Sequence, residues 1–218
     1  MIFELFEILL HLDKYLQGIV QEYSTLTYLI IFLVIFFETG IVVTPFLPGD
    51  SLLFAAGALA AIGSFDIKVL FVIILIAAIF GDAVNYHIGK YVGPKIFNRE
   101  SSLFFNKEYL VKAQSFYEKH GKKTIILARF IPFIRTFAPF VAGIGVMPYR
   151  IFFLYNVLGA FLWCALFIIG GYFFGNIQIV KDNFGLLIIG IIIVSMLPLL
   201  KEIITHFWTR KKEMISQN

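Results

Sequence analysis

The 218-residue chain is 60% hydrophobic and 17% aromatic, with 15% charged residues and a mean hydropathy of +0.88. A soluble domain of this size has no way to bury so much apolar surface, which makes lipid the expected solvent. The formal charge of +4 is small and scattered among apolar runs, which argues against a nucleic-acid partner, and the single Cys164 excludes an intrachain disulfide.

Residues 1–24 place Glu4, Glu7, His11, Lys14, Gln17 and Gln21 three or four apart, with Ile, Leu and Phe between. That period gives one polar face, predicting an amphipathic helix on a membrane surface or against the rest of the protein. Early glutamates and no basic start do not fit a cleaved leader, so the chain reads as unprocessed. Residues 25–62 hold an apolar run, a break at TPFLPGD (44–50), and a second run too short for a crossing, which takes ~20 residues. Pro45 and Pro48 interrupt helix hydrogen bonding and Gly49 permits a sharp turn. The block predicts a re-entrant helical hairpin, with a full crossing by 26–43 as the alternative. Residues 67–88 are long enough to span. Residues 89–123 are polar, with a surface helix over Lys107–Lys119 stopped by Gly121. Residues 124–147 form a second short block, broken by Pro132 and Pro139. Residues 150–174 and 184–206 read as two further spans, and 207–218 as a polar tail.

The two broken blocks resemble each other. Pro45-Phe46-Leu47 leads to Ala56-Gly57, and Pro132-Phe133-Ile134 leads to Ala142-Gly143. Each precedes a long run ending in GxxxG, Gly89 to Gly93 and Gly171 to Gly175. The shared order suggests duplication, and in transporters such interrupted segments point to the binding site. Lys90, Lys95, Arg99, Lys107, Lys112, Lys119, Lys122 and Lys123 outnumber the acids of their segment, and Arg210, Lys211 and Lys212 close the chain. Positive charge stays on the cytoplasmic side, so both regions are expected there. The hairpins then enter from opposite faces. The expected fold is an all-α integral membrane protein, an inverted repeat of hairpin plus transmembrane helix, with an N-terminal amphipathic helix and a C-terminal transmembrane helix.

Glu38, Asp50, Arg129 and Arg135 fall at hairpin depth. A charge at the bilayer centre costs ~2.5–3.5 kcal/mol even on the lenient insertion scale. Broken backbone survives there only when surrounded by protein or a water-filled cavity. The two hairpins should therefore face each other across a polar cleft. Such charges serve either as ion pairs that dock the hairpins or as a working site. In a working site, an arginine fork binds phosphate and stays charged. Carboxylates gain and lose protons, with desolvation and the nearby arginines pulling in opposite directions. Asp82 is a second-tier candidate, or a hydrogen-bonding partner of Asn85 or Tyr86. Asn156 and Trp163 read as packing or interface residues. His11, His87, His120 and His206 show no metal-ligand spacing, so no metal or cofactor is expected. No nucleophile elbow, P-loop or HExxH pattern occurs, and the expectation is not an enzyme. A lipid phosphatase would share the arginines but need a nucleophile or general-acid histidine, and neither broken block contains a histidine. Paired arginines also argue against a cationic cargo.

Three stretches carry a family resemblance: FETGIVVTPFLPGDSLLFAAG (37–57), GDAVNYHIGKYVG (81–93) and ARFIPFIRTFAPFVAGIGVMPYRIFFLYNVLGAFLW (128–163). In that order they resemble the bacterial DedA family, whose wider group includes the eukaryotic VTT-domain lipid scramblases. The resemblance runs from about residue 30 to 175. It implies two opposed re-entrant hairpins and movement of polyprenyl phosphate or phospholipid between leaflets. For members similar to this one it implies recycling of undecaprenyl phosphate, driven by the proton motive force, in the bacterial inner membrane. The family's essential acids fall on Glu38 and Asp50 and its essential arginines on Arg129 and Arg135, with no departure at these positions. Implied partners are the lipid substrate, the surrounding membrane lipids and protons.

Overall fold

The computed structural model describes residues 24–41, 49–97, 107–131, 134–183, 187 and 190, and every regular element among them is helical. The expected N-terminal helix, the expected tail and nearly all of the expected span 184–206 lie outside the described residues. Helix α1 (Ser24–Gly40) and helix α2 (Gly49–Ala61) flank the first proline-rich break. Helix α3 (Ile67–Phe97) follows. Its start is capped by Asp66, whose Oδ1 accepts from the amides of Lys68 and Val69 at 2.8 and 3.2 Å. Hydropathy falls after 88, yet the helix does not stop there. Helical backbone needs no apolar side chains, and α3 runs on through Lys90 and Pro94 to Phe97.

Helix α4 (Lys107–His120) leads through a tight turn at Gly121, φ +58°, into helix α5 (Thr124–Ala128). Helix α6 (Ile134–Val141) widens into a π-turn over Ala142–Val146, where Gly145 at φ +125° takes a backbone state that other residues rarely adopt. Helix α7 (Tyr149–Gly175) starts directly after Pro148 and carries a π-turn at Ala165–Ile169. The short helix α8 (Gln178–Asp182) follows.

The residues 67–93 of α3, and all of α7, are each 27 residues of mean hydropathy above 2, enough to cross a bilayer. Their outward faces are apolar: Val69, Val72, Ile76 and Phe80 on α3, and Leu154, Leu158 and Phe161 on α7, are all at least two-fifths exposed. Unbroken apolar stripes of this kind are what a helix shows to lipid.

The repeat suggested by the sequence has a counterpart in the helix packing, and it is crossed. Helix α2, from the first block, packs on the C-terminal half of α7, while α6 and its π-turn, from the second block, pack on α3. A Cβ on Gly57 would strike the carbonyl oxygen of Ile168, and one on Gly171 that of Phe54. A Cβ on Gly89 would strike the carbonyl oxygen of Phe140, and one on Gly143 that of Tyr86. Each crossing thus consists of two glycines facing two backbone carbonyls, the close approach that small residues give helices in membranes. Two cores result. One gathers Ile35, Leu53, Leu70, Ile74, Trp163 and Ile168, and the other Tyr86, Phe137, Phe140 and Phe152.

Candidate functional site

The ends of the broken segments meet between the two cores. Glu38 is near the end of α1, Asp50 in the first turn of α2, Arg135 near the start of α6, and Trp163 midway along α7. Gly49 leaves the Glu38 carboxylate its place, since a Cβ on it would displace that carboxylate. Its amide donates to Glu38 Oε1 at 3.3 Å. Arg135 Nη1 donates to Asp50 Oδ1 at 2.7 Å. Its Nη2 is 3.1 Å from Glu38 Oε1 but not aligned to donate to it, so the contact is an ion pair without a hydrogen bond. Trp163 Nε1 donates to the same Asp50 oxygen at 2.8 Å, and its ring lies 4.8 Å from the Arg135 guanidinium carbon. With its groups ionised, this cluster holds one positive charge and two negative ones.

Arg129 does not join it. Its guanidinium pairs with Asp82 of α3, and both side chains are 6% exposed. The same Nη2 also donates to Asn156 Oδ1 on α7, and Asn156 Nδ2 in turn donates to the Ile79 carbonyl at 3.1 Å. Gly159, one turn on from Asn156, leaves room for the Arg129 stem. Trp163 stands between the two arginines, with the Arg129 guanidinium carbon 5.9 Å from its ring. Nearby, Asn85 Nδ2 donates to the carbonyls of Thr39 and Thr136, at 3.1 and 2.8 Å, tying α3 to both broken segments.

The structure therefore brings Glu38, Asp50 and Arg135 together and sets Arg129 with Asp82 in a separate, dry pair. Asp82 binds neither Asn85 nor Tyr86, since Tyr86 donates instead to the Met147 carbonyl at 2.8 Å. The sequence reading missed Trp163 and Asn156 as members of the polar network. Their signal was spacing: Asn156, Gly159, Ala160 and Trp163 recur every three or four residues on the buried face of α7. Among the described residues, no group of three or more His, Cys, Asp or Glu is placed to hold a metal ion.

Long lipid-facing helices and charges enclosed between interrupted segments define a polytopic helical membrane protein with an internal ionised site. Comparison with known proteins places it further. The VTT domain family matches residues 47–173. Protein DedA of Escherichia coli K12 is 58% identical over 208 residues, covering 94% of this chain and 95% of that one. An uncharacterized membrane protein of Mycobacterium leprae is 45% identical over 167 residues, 77% of this chain and 75% of its own. The inner membrane protein YghB of Escherichia coli K12 is 33% identical over 159 residues, 73% of each chain. No solved structure matches the chain. The protein belongs to the DedA family of VTT-domain membrane proteins.

Proposed function

We propose that this protein moves undecaprenyl phosphate between the leaflets of the bacterial inner membrane for reuse as a carrier lipid, driven by the proton motive force. The observation that carries the reading is Arg135, a permanent cation whose Nη2 has no hydrogen-bond acceptor among the described residues, beside the partly exposed Asp50. A guanidinium fork with a donor to spare suits a phosphate oxygen.

Charge arithmetic then links the headgroup to protons. An arriving anion meets one cation and two carboxylates. At ~4 Å and an effective dielectric constant of ~20, each like-charge contact costs about 4 kcal/mol. A proton on Glu38 or Asp50 removes one of the two repulsions and brings the cluster to zero net charge, so that the headgroup's hydrogen bonds to Arg135 then favour binding. Arg135 binds the headgroup, Asp50 and Glu38 exchange protons, and the Arg129–Asp82 pair supports the wall behind them. The cycle moves protons on and off these carboxylates and leaves every bond of the lipid intact. In this reading the broken segments are re-entrant hairpins of an inverted repeat, and the basic residues of 89–123 and 207–218 lie in the cytoplasm.

The test is leaflet exchange in liposomes holding the purified protein, with undecaprenyl phosphate and phosphatidylethanolamine compared with and without a pH gradient. Faster exchange of undecaprenyl phosphate under the gradient, with phosphatidylethanolamine unmoved, is the expected result. Equal exchange of both lipids, indifferent to the gradient, would replace the reading with a passive scramblase. No exchange of either lipid would end the transport reading.

A further inference from the structure

We propose that an apolar cavity beside Asp50 holds the hydrocarbon chain of the lipid phosphate whose headgroup reaches Arg135, an inference that rests on the transport reading and deepens it. The starting point is access. The Asp50 side chain is 37% exposed, against 13% for Arg135, 5% for Glu38 and 6% for both Arg129 and Asp82. A ligand coming from the membrane meets Asp50 first.

What surrounds Asp50 on that side is not polar. It forms the charged end of a 430 Å³ cavity between α2, α7 and the residues after α8, walled by Ser51, Phe54, Phe167, Phe174 and Leu187. The rings of Phe54 and Phe174 are 5.6 Å apart. Phe167 meets Trp163 edge-on at 6.2 Å, and Trp163 donates its N–H to Asp50. Aromatic wall and charged cluster are thus continuous, joined through one indole.

That continuity selects the occupant. Free phosphate has nothing to gain from phenylalanine walls, and a neutral hydrocarbon has nothing to gain from Arg135. A chain with an anion at its end uses both. Chains gain little by leaving lipid for an equally apolar cavity, so affinity comes from the headgroup, and the cavity's role is register. It keeps the first carbons of the chain in apolar surroundings while the phosphate moves from the interface to Arg135. A second cavity, of 370 Å³, is lined by residues of α3, among them Phe80, His87 and Tyr91. Its described wall has no arginine or carboxylate, which makes it the natural comparison.

The experiment uses the full-length protein in vesicles and undecaprenyl phosphate carrying a photoreactive group on an isoprene unit near the phosphate. Crosslinks are expected on Phe54, Phe167 or Phe174, competed by unlabelled undecaprenyl phosphate and not by inorganic phosphate. Ser51→Trp, which fills the cavity, should lower crosslinking and exchange about tenfold or more. Should that variant fail to fold, the crosslink map of the wild-type protein decides alone. Crosslinks on the Phe80–Tyr91 face, or none in the cavity, with exchange intact would overturn the cavity and leave transport standing. Equal competition by inorganic phosphate would reduce the site to a headgroup site and overturn the role of the chain. Crosslinks in the cavity without lipid exchange would keep the binding site and remove transport.

Discussion

Asp82→Asn isolates the dry ion pair from the working cluster. Asp82 and Arg129 are each 6% exposed and bonded directly through Nη2, and Arg129 Nε has no acceptor among the described residues. Asparagine preserves the shape of the site but strands a guanidinium that cannot shed its proton. Breaking a buried pair from one side costs about 3–5 kcal/mol. We expect the unfolding free energy, measured by equilibrium denaturation in mixed micelles, to fall by that amount. Glu38→Gln is the control. It leaves Arg135 its Asp50 partner and takes the cluster from one positive and two negative charges to one of each, so the expected cost is below about 1.5 kcal/mol. Adding Arg129→Met to Asp82→Asn removes the stranded charge and should recover about 2 kcal/mol, read as coupling in a double-mutant cycle. The reasoning is refuted if Asp82→Asn costs no more than Glu38→Gln, or if the double variant is no more stable than Asp82→Asn alone.

Arg135→Lys keeps the charge but loses the fork, and a hydrogen bond to a charged group is worth about 1.5–3 kcal/mol, so lipid exchange should slow about 10–100-fold. Exchange at the wild-type rate would mean that the site needs only positive charge. Trp163→Phe keeps a ring beside Arg135 and removes the N–H held by Asp50; exchange should slow about tenfold. An unchanged rate would show the indole N–H to be idle. Gly171→Ala drives a methyl into the Phe54 carbonyl, whereas Gly170→Ala meets nothing within 4 Å. The first should cost about 1–3 kcal/mol and the second stay within about 0.5 kcal/mol of wild type, and equal losses would refute the α2–α7 crossing.

The repeat was legible because helix crossings in a membrane demand small residues, and Gly57, Gly89, Gly143 and Gly171 stand out against their apolar neighbours. The charges were legible because Glu38, Asp50, Asp82, Arg129 and Arg135 interrupt long apolar runs. How they pair was not. Arg129 and Arg135 sit six residues apart with Asp82 and Asp50 far away in sequence, and nothing local says which acid each arginine faces. Arg129 caps the end of α5 and Arg135 lies in the first turn of α6, so the two arginines belong to different helices and meet different neighbours, a three-dimensional outcome. Trp163 and Asn156 were passed over for a related reason. On an apolar helix, tryptophan and asparagine also suit interfaces and packing, and only the geometry gives the indole a carboxylate to hold. The apolar run closes at 88 while α3 continues to Phe97, because hydropathy marks where lipid stops and not where helical hydrogen bonding does.

The crossed packing of α2 on α7 and α6 on α3 bears on how such a chain is made, and on where it came from. While the ribosome is still working, α2 emerges long before the glycines of α7 that it needs, and must wait with its small-residue face uncovered. Neither half of the gene would encode a closed unit, so the two halves expressed separately should accumulate only when produced together. An ancestor of half the length would have been obliged to pair with a second copy, lending out its broken segment and receiving one in return. A fusion of two such copies would turn that exchange between neighbours into one within a single polypeptide. It would also free the two segments to diverge, one gathering acids and the other arginines.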